Sequence, residues 1–114
     1  MTRTIIAGSR EGATYKDVKQ AFDSCGWEVT TIISGGARGV DYLGKQLADE
    51  LNIPVERYPA NWSKYGRGAG PIRNSLMADN ADALIAVWDG KSKGTLNMIN
   101  TARKKGLKVF IYFY

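Results

Sequence analysis

The sequence contains no histidine and a single cysteine, Cys25. Without histidine, the chain cannot assemble a Ser-His-Asp or Cys-His catalytic site, and the usual zinc sites are excluded. One cysteine rules out a disulfide within the chain, and its position at the end of a predicted helix favours a packing role. Any catalysis must therefore use carboxylates, arginine, lysine, tyrosine or a bound ion. We expect neither a metal site nor a cofactor.

Long hydrophobic runs are also lacking, since no apolar stretch approaches the roughly 18 residues of a membrane span. The first residues are typical of a strand and not of a signal peptide, which predicts a cytoplasmic protein without membrane contacts. A chain of 114 residues, 44% of them hydrophobic, is long enough for one domain spanning residues 1–114. The net charge of +5 favours an anionic partner, either a nucleic acid or a phosphate-bearing small molecule.

Short apolar runs alternate with segments of helical spacing along the whole chain. Strands are predicted at residues 3–7, 29–33, 54–58, 83–88 and 108–113, and helices at 14–25, 40–51, 71–80 and 94–105. The glycine-rich stretch 59–70 is predicted to be a loop. This alternation indicates an α/β fold, a single Rossmann-like domain whose five-stranded, mainly parallel sheet carries helices on both faces. We expect the strand order 3-2-1-4-5, which makes the two most apolar strands central neighbours.

Ligands of such sheets bind outside the carboxyl ends of the strands. Four loops are predicted to meet there, at residues 8–10, 34–41, 59–74 and 89–95. They contain most of the glycines and many of the cationic side chains of the chain. The positive charge is therefore expected at one edge of the sheet.

The stretch SGGARGVD, residues 34–41, joins a predicted strand to a predicted helix. Its glycines would let a ligand approach the backbone, and the following helix N-terminus favours an anion. Ser34 can donate a hydroxyl hydrogen and Arg38 a charged fork. Asp41 can cap the helix, orient Arg38 or touch a ligand. The alternative for the whole stretch is a tight turn that simply requires glycine.

The stretch DGKSKGT, residues 89–95, joins the most apolar predicted strand to the last predicted helix. Ser92, Thr95 and the local backbone could hold another phosphate. The stretch is not a P-loop, because the position five residues before Gly90 is Ile85 and not glycine. The first loop lacks the G-x-G-x-x-G pattern, so a conventional NAD dehydrogenase is not indicated.

The third loop combines aromatic and basic residues. Trp62 and Tyr65 could stack on a base beside Lys64 and Arg67, or Trp62 could pack the loop onto the domain. Arg73 and its neighbour Asn74 belong to the first turn of the next predicted helix, and they face either the same edge or solvent.

Five segments together resemble the YspA-type branch of the SLOG superfamily: Gly8-Ser9-Arg10, SGGARGVD, PANW, AGPIRNSLM and ALIAVWDGKSKGT. The superfamily is Rossmann-like and includes the Lonely-guy phosphoribohydrolases and DprA, and the branch is common in bacteria and phages. The resemblance implies a nucleotide or nucleotide-derived ligand at the four loops. The residues expected to contact it are Gly8, Ser9, Arg10, Ser34, Gly35, Gly36, Arg38, Asp41, Asn61, Trp62, Arg73, Asn74, Asp89, Ser92, Gly94 and Thr95.

The resemblance to Lonely-guy enzymes places Arg73 at a catalytic arginine, but it places Met98 at the catalytic glutamate. A thioether cannot take over the proton transfer or charge stabilisation of a carboxylate. The leading prediction is therefore a binding module that acts as a sensor, sequestering or signalling protein. One alternative is an N-glycosidase that uses Arg73 with Asp89 or Asp41. Another is a single-stranded nucleic-acid binder, as DprA is.

The last predicted strand, KVFIYFY, is apolar to the final residue. An apolar strand at a sheet edge favours pairing with, or cover by, another subunit. We expect a homodimer or a higher homo-oligomer.

Overall fold

Strands and helices alternate along residues 2–114, which the computed structural model describes; Met1, part of the predicted domain, lies outside them. The strands are β1 (Arg3–Gly8), β2 (Thr31–Ser34), β3 (Val55–Arg57), β4 (Ala83–Trp88) and β5 (Lys108–Phe113). The helices are α1 (Tyr15–Ser24), α2 (Val40–Leu51), α3 (Trp62–Tyr65), α4 (Ala69–Asp79) and α5 (Lys93–Lys104), with a 3-10 turn at Gly66–Gly68.

All five strands are parallel and lie in the order β3-β2-β1-β4-β5, as predicted. Gly8 lies opposite Val87, and Ser34 lies opposite Arg57. The carboxyl ends of β1 to β4 therefore meet at one edge. The order of the strands reverses direction between β1 and β4, and a ligand crevice is expected at that point.

The core has one layer on each face of the sheet, which confirms the predicted helices on both faces. Successive side chains of a strand point to opposite faces, so Ile5 and Ile6 enter different layers. Ile6 packs with Val18 of α1 and Leu47 of α2. Ile5 lies in the other layer with residues of α4 and α5, including Met77 and Ile99.

The prediction of a loop at residues 59–70 is wrong. The structure places α3 and the 3-10 turn there, and α4 begins at Ala69, before Pro71. Asn61 explains the extra helix, because its Oδ1 accepts a hydrogen bond of 3.1 Å from the Lys64 N–H. Pro71 fits within the first turn of α4, where a missing N–H costs no helical hydrogen bond.

No helix within residues 2–114 combines the length and the apolar character that crossing a membrane requires.

Candidate functional site

A cleft opens at the carboxyl ends of β1 and β4, and we call it the central cleft. Its volume is about 80 Å³. It is lined by Ala7, Gly8, Arg10, Ala37, Asp41, Arg73, Asn74, Met77, Ser92, Gly94, Thr95 and Met98. The lining takes residues from all four predicted loops, together with Met77 of α4 and Met98 of α5. The crevice therefore lies where the strand order reverses.

Two further cavities continue from the central cleft. The Trp62 cavity, about 160 Å³, is lined by Arg10, Gly35, Gly36, Ala37, Arg57, Pro59, Ala60, Trp62 and Arg73. The Tyr42 cavity, about 230 Å³, is lined by Ser34, Gly36, Ala37, Asp41, Tyr42, Lys45 and Arg57. Each cavity shares at least three lining residues with the one before it, so the three form a continuous depression.

Arg73 is held in place by hydrogen bonds to two other parts of the site. Its Nη1 donates to the Gly35 carbonyl oxygen at 3.0 Å, and its Nε donates to Asn74 Oδ1 at 3.1 Å. Asn74 is buried and donates in turn to Asn97 Oδ1 at 3.0 Å. Burial lowers the pKa of Arg73, Asp41 raises it, and nearby Arg10 lowers it further. Arginine nevertheless stays protonated, so the site holds a pre-oriented cation whose Nη2 has no partner in residues 2–114.

The two glycines after β2 make room for arginine side chains. A Cβ on Gly35 would lie 2.2 Å from Arg73 Nη1, and a Cβ on Gly36 would lie 2.6 Å from Arg57 Nη2. The N–H of Gly36 donates to Ser34 Oγ at 3.1 Å. These glycines therefore admit guanidinium groups, and a sequence pattern alone does not distinguish this use from close approach of a ligand.

Asp41 is buried beneath the same loop, with 8% of its surface exposed. Its Oδ2 accepts a hydrogen bond of 3.1 Å from the Ala37 N–H. Burial raises the pKa of Asp41 to about 6, while that hydrogen bond, Arg73 and Arg10 act in the opposite direction. Asp41 contacts the loop backbone and not Arg38, which extends into solvent and pairs with Glu11 at 3.1 Å.

The start of α5 forms the opposite wall of the central cleft. Ser92 precedes the helix, and its side chain caps none of the first N–H groups. Thr95 Oγ1 donates to Ser92 Oγ at 3.2 Å, so the two hydroxyls lie side by side. The first N–H groups of an α-helix lack intrahelical acceptors and carry partial positive charge. This wall is therefore suited to an anion.

Ser9 and Asp89 do not line the central cleft, but their hydrogen bonds fix the loops around it. Buried Ser9 accepts from the Asp89 N–H through Oγ and from the Val40 N–H through its carbonyl oxygen. Asp89 Oδ1 accepts from the Lys91 and Ser92 N–H groups, both at 2.8 Å, and these bonds lower the pKa of Asp89. Ser9 and Asp89 thus hold the loop that presents the start of α5.

The structure gathers most of the predicted ligand residues. Those that line the central cleft are Gly8, Arg10, Asp41, Arg73, Asn74, Ser92, Gly94 and Thr95. Ser34, Gly35, Gly36 and Trp62 line the adjoining cavities. The four predicted residues outside all three linings are Ser9, Arg38, Asn61 and Asp89.

Sequence reasoning missed Arg57 and Ala37. Arg57 ends β3 and lines both outer cavities, while Ala37 lines all three depressions. The position of Arg57 at the carboxyl end of a predicted parallel strand was a usable signal. Met98, which the resemblance to Lonely-guy enzymes would align with their glutamate, is buried and lines the central cleft.

Comparison with solved structures supports the fold. The chain superposes on DNA processing protein A (DprA) from Streptococcus pneumoniae with a TM-score of 0.76 and 20% sequence identity. The match covers 96% of this chain but only 50% of the DprA chain, so this chain spans half the length of DprA. At this identity the likeness concerns the fold.

Sequence relatives come from a phage and a prophage. The gene 61 protein of Mycobacterium phage D29 is 31% identical over 121 aligned positions, covering 96% of this chain and 94% of that protein. YoqJ, an SPbeta prophage-derived protein of Bacillus subtilis strain 168, is 35% identical over 63 positions, covering 51% of this chain and 37% of YoqJ. Residues 2–65 match the YspA, cpYpsA-related SLOG family. With more than half of the chain matched and a full-length relative above 30% identity, the chain belongs to the YspA, cpYpsA-related SLOG family.

Proposed function

We propose that this protein binds a nucleotide or a nucleotide-derived small molecule, with a phosphate group seated in the central cleft. One observation carries the proposal: the uncapped start of α5 and the guanidinium groups of Arg10 and Arg73 line the same cleft. Helix N-termini and arginine forks are both complementary to phosphate oxygens.

The charge balance of the central cleft also favours an anion. Arg10 makes no hydrogen bond or ion pair within residues 2–114, and its proximity lowers the pKa of Arg73. Asp41 is the one acidic side chain in the described lining, where it stands against two arginines. A bound phosphate would relieve the repulsion between the two arginines.

The central cleft is large enough for only part of a nucleotide. Pockets that enclose a drug-sized ligand have volumes of roughly 300 to 1,000 Å³, so a cleft of about 80 Å³ suits a phosphate group and not a whole nucleotide. The remainder extends into the Trp62 cavity, where Trp62 is 51% exposed. An exposed indole offers a stacking surface for a base.

The binding proposal is tested by replacing Arg73 with alanine. We expect the affinity for nucleoside 5′-phosphates to fall at least tenfold, since a charge-assisted hydrogen bond contributes roughly 1.5 to 3 kcal/mol. Isothermal titration calorimetry measures the change. Arg103→Ala is the matched control, because Arg103 is an exposed residue in the last turn of α5, far from the cleft. Equal affinities of the Arg73→Ala variant and the parent protein would refute the proposal.

A second variant tests whether the position of the Arg73 guanidinium matters for binding, while the arginine itself is kept. Gly35→Ala would place a Cβ 2.2 Å from Arg73 Nη1 and 2.9 Å from Asp41 Oδ2, so the guanidinium must move. We expect a loss of affinity approaching that of Arg73→Ala, with only a small change in melting temperature, because the tip of a flexible side chain can shift. Gly68→Ala is the control, since its nearest new neighbour is Ile72 Cδ1 at 3.9 Å. Unchanged nucleotide affinity in Gly35→Ala would show that this position of Arg73 is not needed.

Single-stranded nucleic acid is the second candidate partner. Trp62 and Tyr65 are exposed on α3, and Lys64 Nζ lies 5.1 Å from the centre of the Tyr65 ring. This exposed aromatic and basic surface, together with the DprA fold, is the observation that favours it. Oligonucleotide affinity that rises with length and falls steeply with salt would support this candidate over the first.

The homodimer stays a prediction. β5 is an edge strand of the sheet, and Phe113 at its end is 62% exposed. We propose this edge as the contact with a second copy, because an open apolar strand favours pairing.

A further inference from the structure

Arg57 carries a guanidinium group that the proposed phosphate site does not use. It ends β3, is exposed, and makes no hydrogen bond or ion pair within residues 2–114. Its Nη2 would lie only 2.6 Å from a Cβ on Gly36, so the guanidinium rests directly on that glycine. A cation in this position lies between the Trp62 cavity and the Tyr42 cavity and lines both.

The depression is continuous from α5 to the flank of α2. The central cleft and the Trp62 cavity share Arg10, Ala37 and Arg73. The Trp62 and Tyr42 cavities share Gly36, Ala37 and Arg57. The path crosses the sheet edge from β4 to β3, which is three strand spacings or roughly 14 Å. A phosphate in the central cleft and a base in the Trp62 cavity would still leave the Tyr42 cavity for a further unit of the ligand.

The far end of the depression repeats the chemistry of the near end. Tyr42 on α2 is 64% exposed and lines the Tyr42 cavity together with Arg57. Lys45, one turn later on α2, also lines it, although its Nζ is shared with Asp49 at 3.2 Å. An exposed aromatic ring beside an unpaired guanidinium is again suited to a base and a phosphate.

We infer that the ligand is a dinucleotide, a small molecule in which two nucleotide units are joined through phosphate. Its first unit occupies the central cleft and the Trp62 cavity, and its second unit lies against Tyr42 with its linking phosphate on Arg57. This inference rests on the proposed function, because the first unit uses the phosphate site described above. A mononucleotide in the central cleft and the Trp62 cavity would leave Tyr42 without a partner.

Calorimetry with the full chain tests the inference against two sets of probes. The first set is the four nucleoside 5′-monophosphates, and the second is the 5′-phosphorylated linear dinucleotides of the same bases. We expect at least one dinucleotide to bind roughly tenfold or more tightly than either of its mononucleotides, because it adds a charge-assisted contact. Arg57→Ala should remove that gain and lower mononucleotide affinity much less than Arg73→Ala does, because Arg57 lines the Trp62 cavity but not the central cleft. Arg73→Ala should weaken both, and Arg103→Ala neither.

The outcomes separate the inference from the proposed function. Mononucleotide binding that needs Arg73, with no gain from a second unit, would overturn the inference and keep the proposed function. Binding of neither set would refute both. Affinity for ten-residue oligonucleotides well above that for every dinucleotide would replace the dinucleotide by a nucleic-acid strand. Arg57→Lys adds a further test, because it keeps the charge but loses the planar fork, and we expect it to restore only part of the gain.

Discussion

Replacing Gly8 with alanine is expected to destabilise the protein by more than about 3 kcal/mol, since overpacking of a rigid site costs roughly 1 to 3 kcal/mol and here also disturbs strand pairing. The new Cβ would lie 2.0 Å from the Val87 carbonyl oxygen and 2.8 Å from Val40 Cγ2. Gly8 and Val87 are register partners in the central strand pair, so neither backbone can move aside without breaking the sheet. The opposing atom is backbone and cannot change rotamer.

Urea denaturation and calorimetry measure the effect of Gly8→Ala. For a chain of this size, a loss of about 3 kcal/mol lowers the thermal midpoint by roughly 12 °C or more. Gly94→Ala is the control, because a Cβ there meets nothing within 4 Å. It should leave stability unchanged or slightly higher, since alanine is the better helix former. A Gly8→Ala protein within about 1 kcal/mol of its parent would mean that the two strand ends are not packed this closely.

Replacing Asp41 with asparagine is expected to stabilise the protein at neutral pH. Burial raises the pKa of Asp41 from 3.8 to about 6, so the folded protein holds this proton up to a higher pH than the unfolded chain. Stability therefore falls as the pH rises from about 4 to about 6, and above that range the full penalty of about 3 kcal/mol applies. An amide carries no such penalty, and its oxygen can still accept the Ala37 N–H.

The stability difference between Asp41→Asn and the parent isolates this carboxyl group from the others. It should reach up to about 3 kcal/mol at pH 7.5 and shrink towards zero as the pH falls from 6 to 4. Urea denaturation at four pH values across this range gives the curve. Asp23→Asn is the control, because Asp23 is an exposed carboxylate on α1, and it should show no comparable trend. A stabilisation that does not vary with pH, or a less stable variant at pH 7.5, would contradict the buried charge penalty.

Local patterns determine the parts of this fold that the sequence predicts well. The start of α1 is one such case, because Thr14 and Asp17, three residues apart, bond reciprocally in a capping box. The prediction of a loop at residues 59–70 failed because contacts with other elements outweigh the local pattern there. Glycine-rich composition predicts a loop, but the cap at Asn61 and the packing of α3 against α4 stabilise α3.

The candidate site also has a part that the sequence predicts and a part that it does not. Parallel strands necessarily bring their carboxyl ends together, so the loops of the site could be listed from the sequence. The partners of each side chain could not, because they come from distant elements. Arg73 bonds to Gly35, 38 residues earlier, and Arg38 pairs with Glu11 instead of Asp41.

The alternation of strands and helices, a mainly parallel sheet of five strands and the gathering of four loops at one edge could all be predicted from the sequence. These properties follow from hydrophobic periodicity, capping and chain connectivity, which act over short distances along the chain. Packing in the folded chain is what brings two arginines against two glycines, buries Asp41, and places Arg57 in the lining of two cavities. Those features depend on which side chains packing brings within a few ångströms, and no local pattern records that.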